Sequence, residues 1–120
     1  MADRRAAGDQ AEAAALDYLT QRGLKLIARN YRCRAGELDL VLSDGDTLVV
    51  AEVRYRQANA FGSAAQSVGP RKQQRLTRAA QHFLMRHPKL EDLPVRFDVV
   101  ALDGSVDGRS VRIEWLKDAF

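Results

Sequence analysis

Cysteine and long apolar runs are both scarce in this chain, and each shortage excludes a class of protein. Cys33 is the only cysteine among the 120 residues, so neither an intrachain disulfide nor a zinc site built on paired cysteines is possible. No apolar run approaches the ~18 residues that a membrane-spanning helix needs. The first residues lead into an alanine-rich amphipathic stretch rather than the apolar core of a signal peptide. We therefore expect a cytoplasmic protein that does not contact membranes.

The overall composition is that of a soluble globular protein. Hydrophobic residues make up 46% of the chain and charged residues 29%, which excludes a disordered protein. The length predicts one domain covering residues 1–120. The net charge of +3 permits a polyanionic partner without requiring one, so the distribution of the charges matters more than their sum.

Periodicity and turn residues predict two helices and five strands in the order α-β-β-β-α-β-β. The expected elements are a helix at 4–22, strands at 24–28, 37–42 and 47–56, a helix at 70–86, and strands at 95–102 and 110–116. Gly23 is the expected cap of the first helix, and the Asp44-Gly45 pair predicts a hairpin. A loop is expected at 57–69. This order is typical of an α/β fold in which helices pack against a sheet.

Three charged residues interrupt strands that are otherwise apolar: Asp39, Glu52 and Arg54. Burying a charge costs several kcal/mol unless it is paired or bound to a metal, so these positions indicate a site. Successive strand residues point to opposite faces, so Glu52 and Arg54 share one face.

The register of the hairpin decides whether Asp39 and Glu52 meet. A two-residue Asp44-Gly45 turn makes them diagonal neighbours on one face, roughly 7–8 Å apart. A four-residue loop places them directly opposite each other. A three-residue loop separates them onto opposite faces unless a bulge restores the register. The Asp-Gly sequence favours the first arrangement.

Glu12 is a candidate third acid. Helical spacing puts it on the same stripe as Gly8, Ala15 and Leu19, which faces the core. The alternative is an acid at the edge of the apolar face with its carboxylate in water. Three hard oxygen ligands suit Mg²⁺ or Mn²⁺, which activate a bound water as a nucleophile.

The second helix combines an apolar stripe with a basic one. Its basic stripe contains Arg71, Arg75, Arg78, His82 and Arg86. Such a face contacts phosphates in many nucleic-acid-binding proteins, and the alternative is a face that is only solvated. Lys72 differs, because its spacing to the apolar stripe directs it inward. His82 and His87 show neither metal-ligand spacing nor a neighbouring nucleophile.

Segments 36–41 and 50–56 resemble the PD-(D/E)XK nuclease-fold signature. The whole chain resembles the bacterial YraN-like family, an endonuclease-like group that is distantly similar to archaeal Holliday-junction resolvases. The residues that carry this resemblance are Gly8 to Glu12, Ala15 to Leu19, Arg29-Asn30, Gly36 to Asp39, Glu52 to Arg56, Gly62, Lys72, Leu76, Ala80, Arg96 to Val100 and Ala119-Phe120.

The resemblance implies a restriction-endonuclease-like core, in which helices flank a central mixed five-stranded sheet. It implies that Glu12, Asp39 and Glu52 bind the metal, and that Arg54 stands where the nuclease signature has lysine. That lysine orients or activates the attacking water. Arg54 supplies positive charge but stays protonated, so Lys72 is an alternative source of an ammonium group.

Two functional hypotheses follow, and they belong to different classes. The first is a Mg²⁺- or Mn²⁺-dependent endonuclease acting on DNA, including branched or recombination and repair intermediates. Its catalytic residues are Glu12, Asp39, Glu52 and Arg54, and its DNA contacts are Arg56, Arg71, Lys72, Arg75, Arg78 and Arg86. The second is a nucleic-acid-binding module that keeps the nuclease fold and has lost efficient chemistry, with Arg54 in an internal salt bridge. A third hypothesis, an adaptor in DNA maintenance, leaves the buried acids unexplained. Analogy with resolvases suggests a homodimer.

Overall fold

The computed structural model describes residues 4–56, 68–104 and 112–120. The elements in chain order are α1 (Arg4–Gln21), β1 (Lys25–Cys33), β2 (Gly36–Asp44), β3 (Thr47–Arg56), α2 (Pro70–Met85), β4 (Val95–Asp103) and β5 (Arg112–Leu116). A single 3₁₀ turn at Pro88–Leu90 follows α2. The predicted α/β class and the order α-β-β-β-α-β-β are confirmed. The expectations for Gly62, for most of the 57–69 loop and for the start of the last strand lie outside the described residues, as does the side chain of Arg56.

The five strands form one mixed sheet in the order β1-β2-β3-β4-β5. Only β3 and β4 are parallel, and α2 lies in the crossover that connects them. The other neighbouring pairs are antiparallel. A parallel pair needs such a crossover because the chain must return to the same end of the sheet.

One helix covers each face of the sheet. On the first face, α1 buries Ala11, Ala15 and Leu19 against residues of β2, β3 and β4. On the second face, α2 buries its apolar stripe against the opposite side of the same strands. The strands at the centre are therefore apolar on both faces, which explains the continuous apolar runs in β2 and β3.

The C-terminus of α1 is capped at Gly23 as predicted. The Gly23 N–H donates to the Thr20 carbonyl at 3.1 Å, and the Leu24 N–H donates to the Leu19 carbonyl at 3.2 Å. This is the hydrogen-bond pattern of a Schellman motif. Gly23 has φ of 95°, a backbone conformation that side chains with a Cβ rarely adopt.

Strand β1 is longer than the predicted 24–28. Its pairing with β2 continues from Arg29 opposite Leu40 to Cys33 opposite Gly36. The extension was missed because β1 lies at the edge of the sheet and is mostly exposed. Apolar alternation is weak in such a strand, and backbone pairing with β2 supplies the order instead.

The predicted Asp44-Gly45 turn is wrong by one residue. Asp44 pairs with Thr47, so the turn residues are Gly45 and Asp46. Gly45 has φ of 59°, which suits the first central position of a type II′ hairpin turn. If this register is continued by one pair, Asp39 lies directly opposite Glu52. That is the arrangement expected of a four-residue loop, whereas the Asp44-Gly45 turn predicted diagonal neighbours.

Among the described residues, no helix is both long enough and apolar enough to span a membrane.

Candidate functional site

The strands β2 and β3 separate next to Asp39. Their last paired residues at this end are Leu40 and Ala51. Beyond them, the Val53 N–H donates to the Asp39 Oδ2 at 2.9 Å. Where the backbone pairing of β2 and β3 ends, the Asp39 carboxylate therefore accepts a hydrogen bond from the backbone of β3. The result is a fork in the sheet with Asp39 inside it.

Glu52 lies at the same fork with its side chain almost completely buried. It is 4% exposed, and its Oε1 lies 3.3 Å from the Lys72 Nζ and 3.9 Å from the Arg54 Nε. Lys72 belongs to α2, so Glu52 faces the α2 side of the sheet. The predicted inward direction of Lys72 is therefore confirmed.

Burial opposes the ionisation of both carboxyl groups at the fork. The pKa of Glu52 is raised to about 7, first by burial and then by the neighbouring Asp39 charge, while Lys72 and Arg54 act in the opposite direction. Burial also raises the pKa of Asp39, although the Val53 N–H and Lys72 partly offset it. The pair titrates as a unit. Additional positive charge at the fork would favour the ionised form of Glu52.

Glu12 approaches from the α1 side of the sheet. It is half-buried at the edge of the apolar stripe, and its pKa is raised first by burial and then by the charges of Asp39 and Glu37. It opens onto a polar cleft of about 380 Å³. The residues that line this cleft are Gly8, Asp9, Glu12, Asn30, Arg32 and Glu37.

The predicted three acids therefore approach one fork from two directions. Glu52 comes from the α2 side, Glu12 from the α1 side, and Asp39 lies between the strands. In the described part of the chain, no three His, Cys, Asp or Glu side chains are grouped closely enough to ligate one ion. The tight unit is the pair Asp39 and Glu52, with Glu12 beside it.

The donor set at the fork nevertheless fits a hard divalent cation. Asp39 and Glu52 supply carboxylate oxygens, and burial, the largest cause, raises the pKa of both. Mg²⁺ is commonly held by one or two carboxylates while water and substrate phosphate complete its shell. Two acids with a third nearby therefore satisfy the chemistry of such an ion.

The predicted basic stripe of α2 is exposed apart from one member. Arg71, Arg75, Arg78 and Arg86 are exposed, and at 1.5 Å per residue they extend over roughly 22 Å along the helix axis. His82 instead is half-buried, and its Nδ1 is hydrogen-bonded to the Tyr31 hydroxyl. Its side chain therefore packs α2 against β1 and is not part of the exposed basic face.

Sequence reasoning missed a second buried acid, Asp98. It is fully buried and accepts hydrogen bonds from both the Nε and the Nη2 of Arg96, from the Trp115 Nε1 and from the Asp118 N–H. These donors satisfy it completely, so it ties β4 to β5 and to the residues that follow. An acid inside the apolar segment 95–102 is the signal that points to this cluster.

Two residues of the polar cleft were also not assigned a role from the sequence. Asn30 and Glu37 lie next to Glu12, on β1 and β2. Asn30 falls in an exposed edge strand without apolar alternation, and Glu37 stands at the start of a strand, so neither carries a signal beyond its part in the family resemblance. A second cleft of about 530 Å³ lies between α2 and Phe120 and is not lined by any of the predicted acids.

Comparison with known proteins supports the family resemblance. Residues 11–102 match the model of the uncharacterised protein family UPF0102. A UPF0102 protein of Stutzerimonas stutzeri is 48% identical over 120 residues, which cover 100% of this chain and 98% of that protein. A UPF0102 protein of Pseudomonas putida is 54% identical, with 95% and 92% covered. A third, from Saccharophagus degradans, is 48% identical, with 100% and 97% covered.

Proposed function

The chain belongs to the uncharacterised protein family UPF0102, the YraN family that the sequence resembles, and we propose that it is a divalent-metal-dependent endonuclease acting on DNA. The observation that carries this proposal is the buried carboxyl pair of Asp39 and Glu52, with Lys72 and Arg54 beside it. Burying acidic side chains costs folding free energy even when cations lie beside them. Such groups therefore concentrate at functional sites.

The metal would be held by Asp39 and Glu52, with Glu12 contributing from the other side of the fork. A bound Mg²⁺ or Mn²⁺ supplies a Lewis acid for a phosphate oxygen and lowers the pKa of a bound water. Burial disfavours both bare carboxylates, and repulsion by the Asp39 charge adds to this effect at Glu52. A cation at the fork relieves that repulsion.

Lys72 and Arg54 supply positive charge on the α2 side of the fork. The Lys72 ammonium lies 3.3 Å from Glu52, so it would supply positive charge to a phosphate bound at the fork. The Arg54 Nε is buried and has no hydrogen-bond partner among the described residues. A buried donor without a partner is costly, and a phosphate oxygen is an acceptor that would satisfy it.

The exposed arginines of α2 extend from this end of the molecule along the helix. Lys72 and Arg71 stand at the N-terminal turn of α2, so the row formed by Arg71, Arg75, Arg78 and Arg86 begins at the fork. A strand whose scissile phosphate lies at the fork can continue along this row. Each phosphate contact releases counterions, so affinity is expected to fall as salt rises.

A cleavage assay tests the proposal. Purified protein is incubated with linear, flapped and four-way-junction DNA in Mg²⁺ or Mn²⁺. The near-isosteric variants Asp39→Asn and Glu52→Gln should lower the cleavage rate on the order of 100-fold or more, because metal-ion catalysis contributes several kcal/mol. The exposed Glu91 offers a matched control, and Glu91→Gln should cleave at the wild-type rate. Cleavage that persists in both fork variants would belong to a contaminant and refute the proposal.

A second candidate function is a DNA-binding module without cleavage. It is favoured by the contact between Lys72 and Glu52, which already compensates one of the two acids. It predicts salt-dependent DNA binding that Arg71→Gln and Arg75→Gln each weaken, reducing the slope of log K against log salt by about one per residue. Arg112 is exposed on the far edge strand β5, and Arg112→Gln is the control. Binding of Mn²⁺ that depends on Asp39 and Glu52 would argue against this candidate.

A further inference from the structure

Asn30 has an unusual backbone conformation for a residue inside a strand. Its φ is 51°, in the left-handed region that few residues other than glycine adopt, although asparagine tolerates it better than most. Arg29 and Tyr31 on either side pair with Leu40 and Leu38. The left-handed residue therefore lies within β1, between the two residues that pair on either side of Asp39.

The side chain of Asn30 connects two acids that come from different elements. Its amide group faces carboxylate oxygens, so the orientation that satisfies the surroundings points the nitrogen toward them. In that orientation the Asn30 nitrogen donates to the Glu12 Oε1 at 2.8 Å and to the Glu37 Oε1 at 3.1 Å. The two N–H bonds of one amide thus bridge α1 to β2.

The Asn30 amide offsets repulsion between neighbouring carboxylates. Glu12 and Glu37 repel each other, and Asp39 adds a third negative charge nearby. Without a donor between them, the partly exposed Glu12 side chain would turn toward water. We infer that Asn30 is a positioning residue, which holds the Glu12 carboxylate at the mouth of the fork beside Asp39. The inference rests on the proposed function, because it assigns Glu12 its place in the metal site.

The substitution Asn30→Gly tests the bridge with little effect on the backbone. Glycine adopts a positive φ without strain, so the change removes the amide and leaves the conformation of β1. Mn²⁺ affinity measured by calorimetry should fall about 10-fold or more, the usual effect of losing a residue that orients a metal ligand. The kcat for DNA cleavage should fall with it, while DNA affinity in EDTA stays at the wild-type value.

Asp118 provides a matched control, since it is the other non-glycine residue with positive φ among those described, at 53°. Asp118→Gly also removes a polar side chain from a left-handed position, and it should leave Mn²⁺ affinity unchanged. A second measurement uses the Glu12→Gln background. There, adding Asn30→Gly should change Mn²⁺ affinity less than twofold, because Asn30 acts through Glu12.

The possible failures are distinguishable. Wild-type protein that binds Mn²⁺, together with an Asn30→Gly variant that binds it equally well, refutes the inference and leaves the proposed function standing. An additive effect of Asn30→Gly in the Glu12→Gln background also refutes it. Wild-type protein that neither binds Mn²⁺ nor cleaves DNA refutes the proposed function, and the positioning role is then overturned with it.

Discussion

The buried carboxyl of Glu52 makes the stability of the metal-free protein depend on pH. Its pKa is raised from the ordinary 4.5 to about 7, chiefly by burial and then by Asp39. A carboxyl with a raised pKa binds its proton more tightly in the folded state than in the unfolded state. Its contribution to stability is therefore fully present below the unfolded pKa and is lost as pH rises through about 7.

The magnitude follows from the size of this displacement. A tenfold change in proton affinity corresponds to about 1.4 kcal/mol, so the rise from 4.5 to about 7 amounts to roughly 3 kcal/mol. Wild-type protein in EDTA should lose that much unfolding free energy, through Glu52, between pH 4.5 and pH 8. For a chain of this size the corresponding drop in Tm is roughly 10 °C.

Glu52→Gln isolates this contribution. Urea denaturation of wild type and variant across the same pH range gives the difference in unfolding free energy, and subtraction removes the contributions of the groups that both proteins share. The difference should change by roughly 3 kcal/mol in favour of the variant as pH rises. Glu91→Gln, at an exposed position, should show no such trend. A difference for Glu52→Gln that stays flat, or changes in the opposite direction, would refute the argument.

Two further predictions concern stability away from the fork. Asp98→Ala leaves the Arg96 guanidinium without its buried partner and should cost roughly 3–5 kcal/mol, measured by chemical denaturation; a loss under about 1 kcal/mol would contradict the role given to Asp98. Gly23→Ala places a Cβ at φ of 95° and should destabilise by roughly 1–2 kcal/mol. Gly8→Ala, inside α1 with nothing within 4 Å of the added Cβ, should stabilise by roughly 0.5–1 kcal/mol. If both glycine variants shifted the thermal midpoint in the same direction, the backbone explanation would be wrong.

The order of elements was readable from the sequence because local signals and burial agree there. Continuous apolar runs indicate the central strands β2 and β3. The apolar stripe indicates the helix α2, and Gly23 indicates the end of α1. Strand β1 was predicted too short, since an exposed edge strand depends on pairing with its neighbour rather than on its own pattern. The hairpin turn was misplaced by one residue because both Asp44-Gly45 and Gly45-Asp46 are acceptable turn sequences.

The sequence identified the acids of the candidate site, but it did not show how they approach one another. A charged residue inside an apolar strand segment can be recognised from the sequence alone, and Asp39 and Glu52 were identified in this way. The role of Asn30 was not visible, because a left-handed residue and an amide between two carboxylates depend on three elements meeting.

The amino-acid sequence by itself determined the α/β architecture and the acids of the fork, because periodicity and the cost of burying charge act along the chain, and its motifs carried the resemblance to the family. Only the tertiary structure decided where β2 and β3 separate, that Lys72 reaches Glu52, and that Glu12 enters from the opposite face of the sheet. Those features depend on pairing register and on packing between residues distant in sequence.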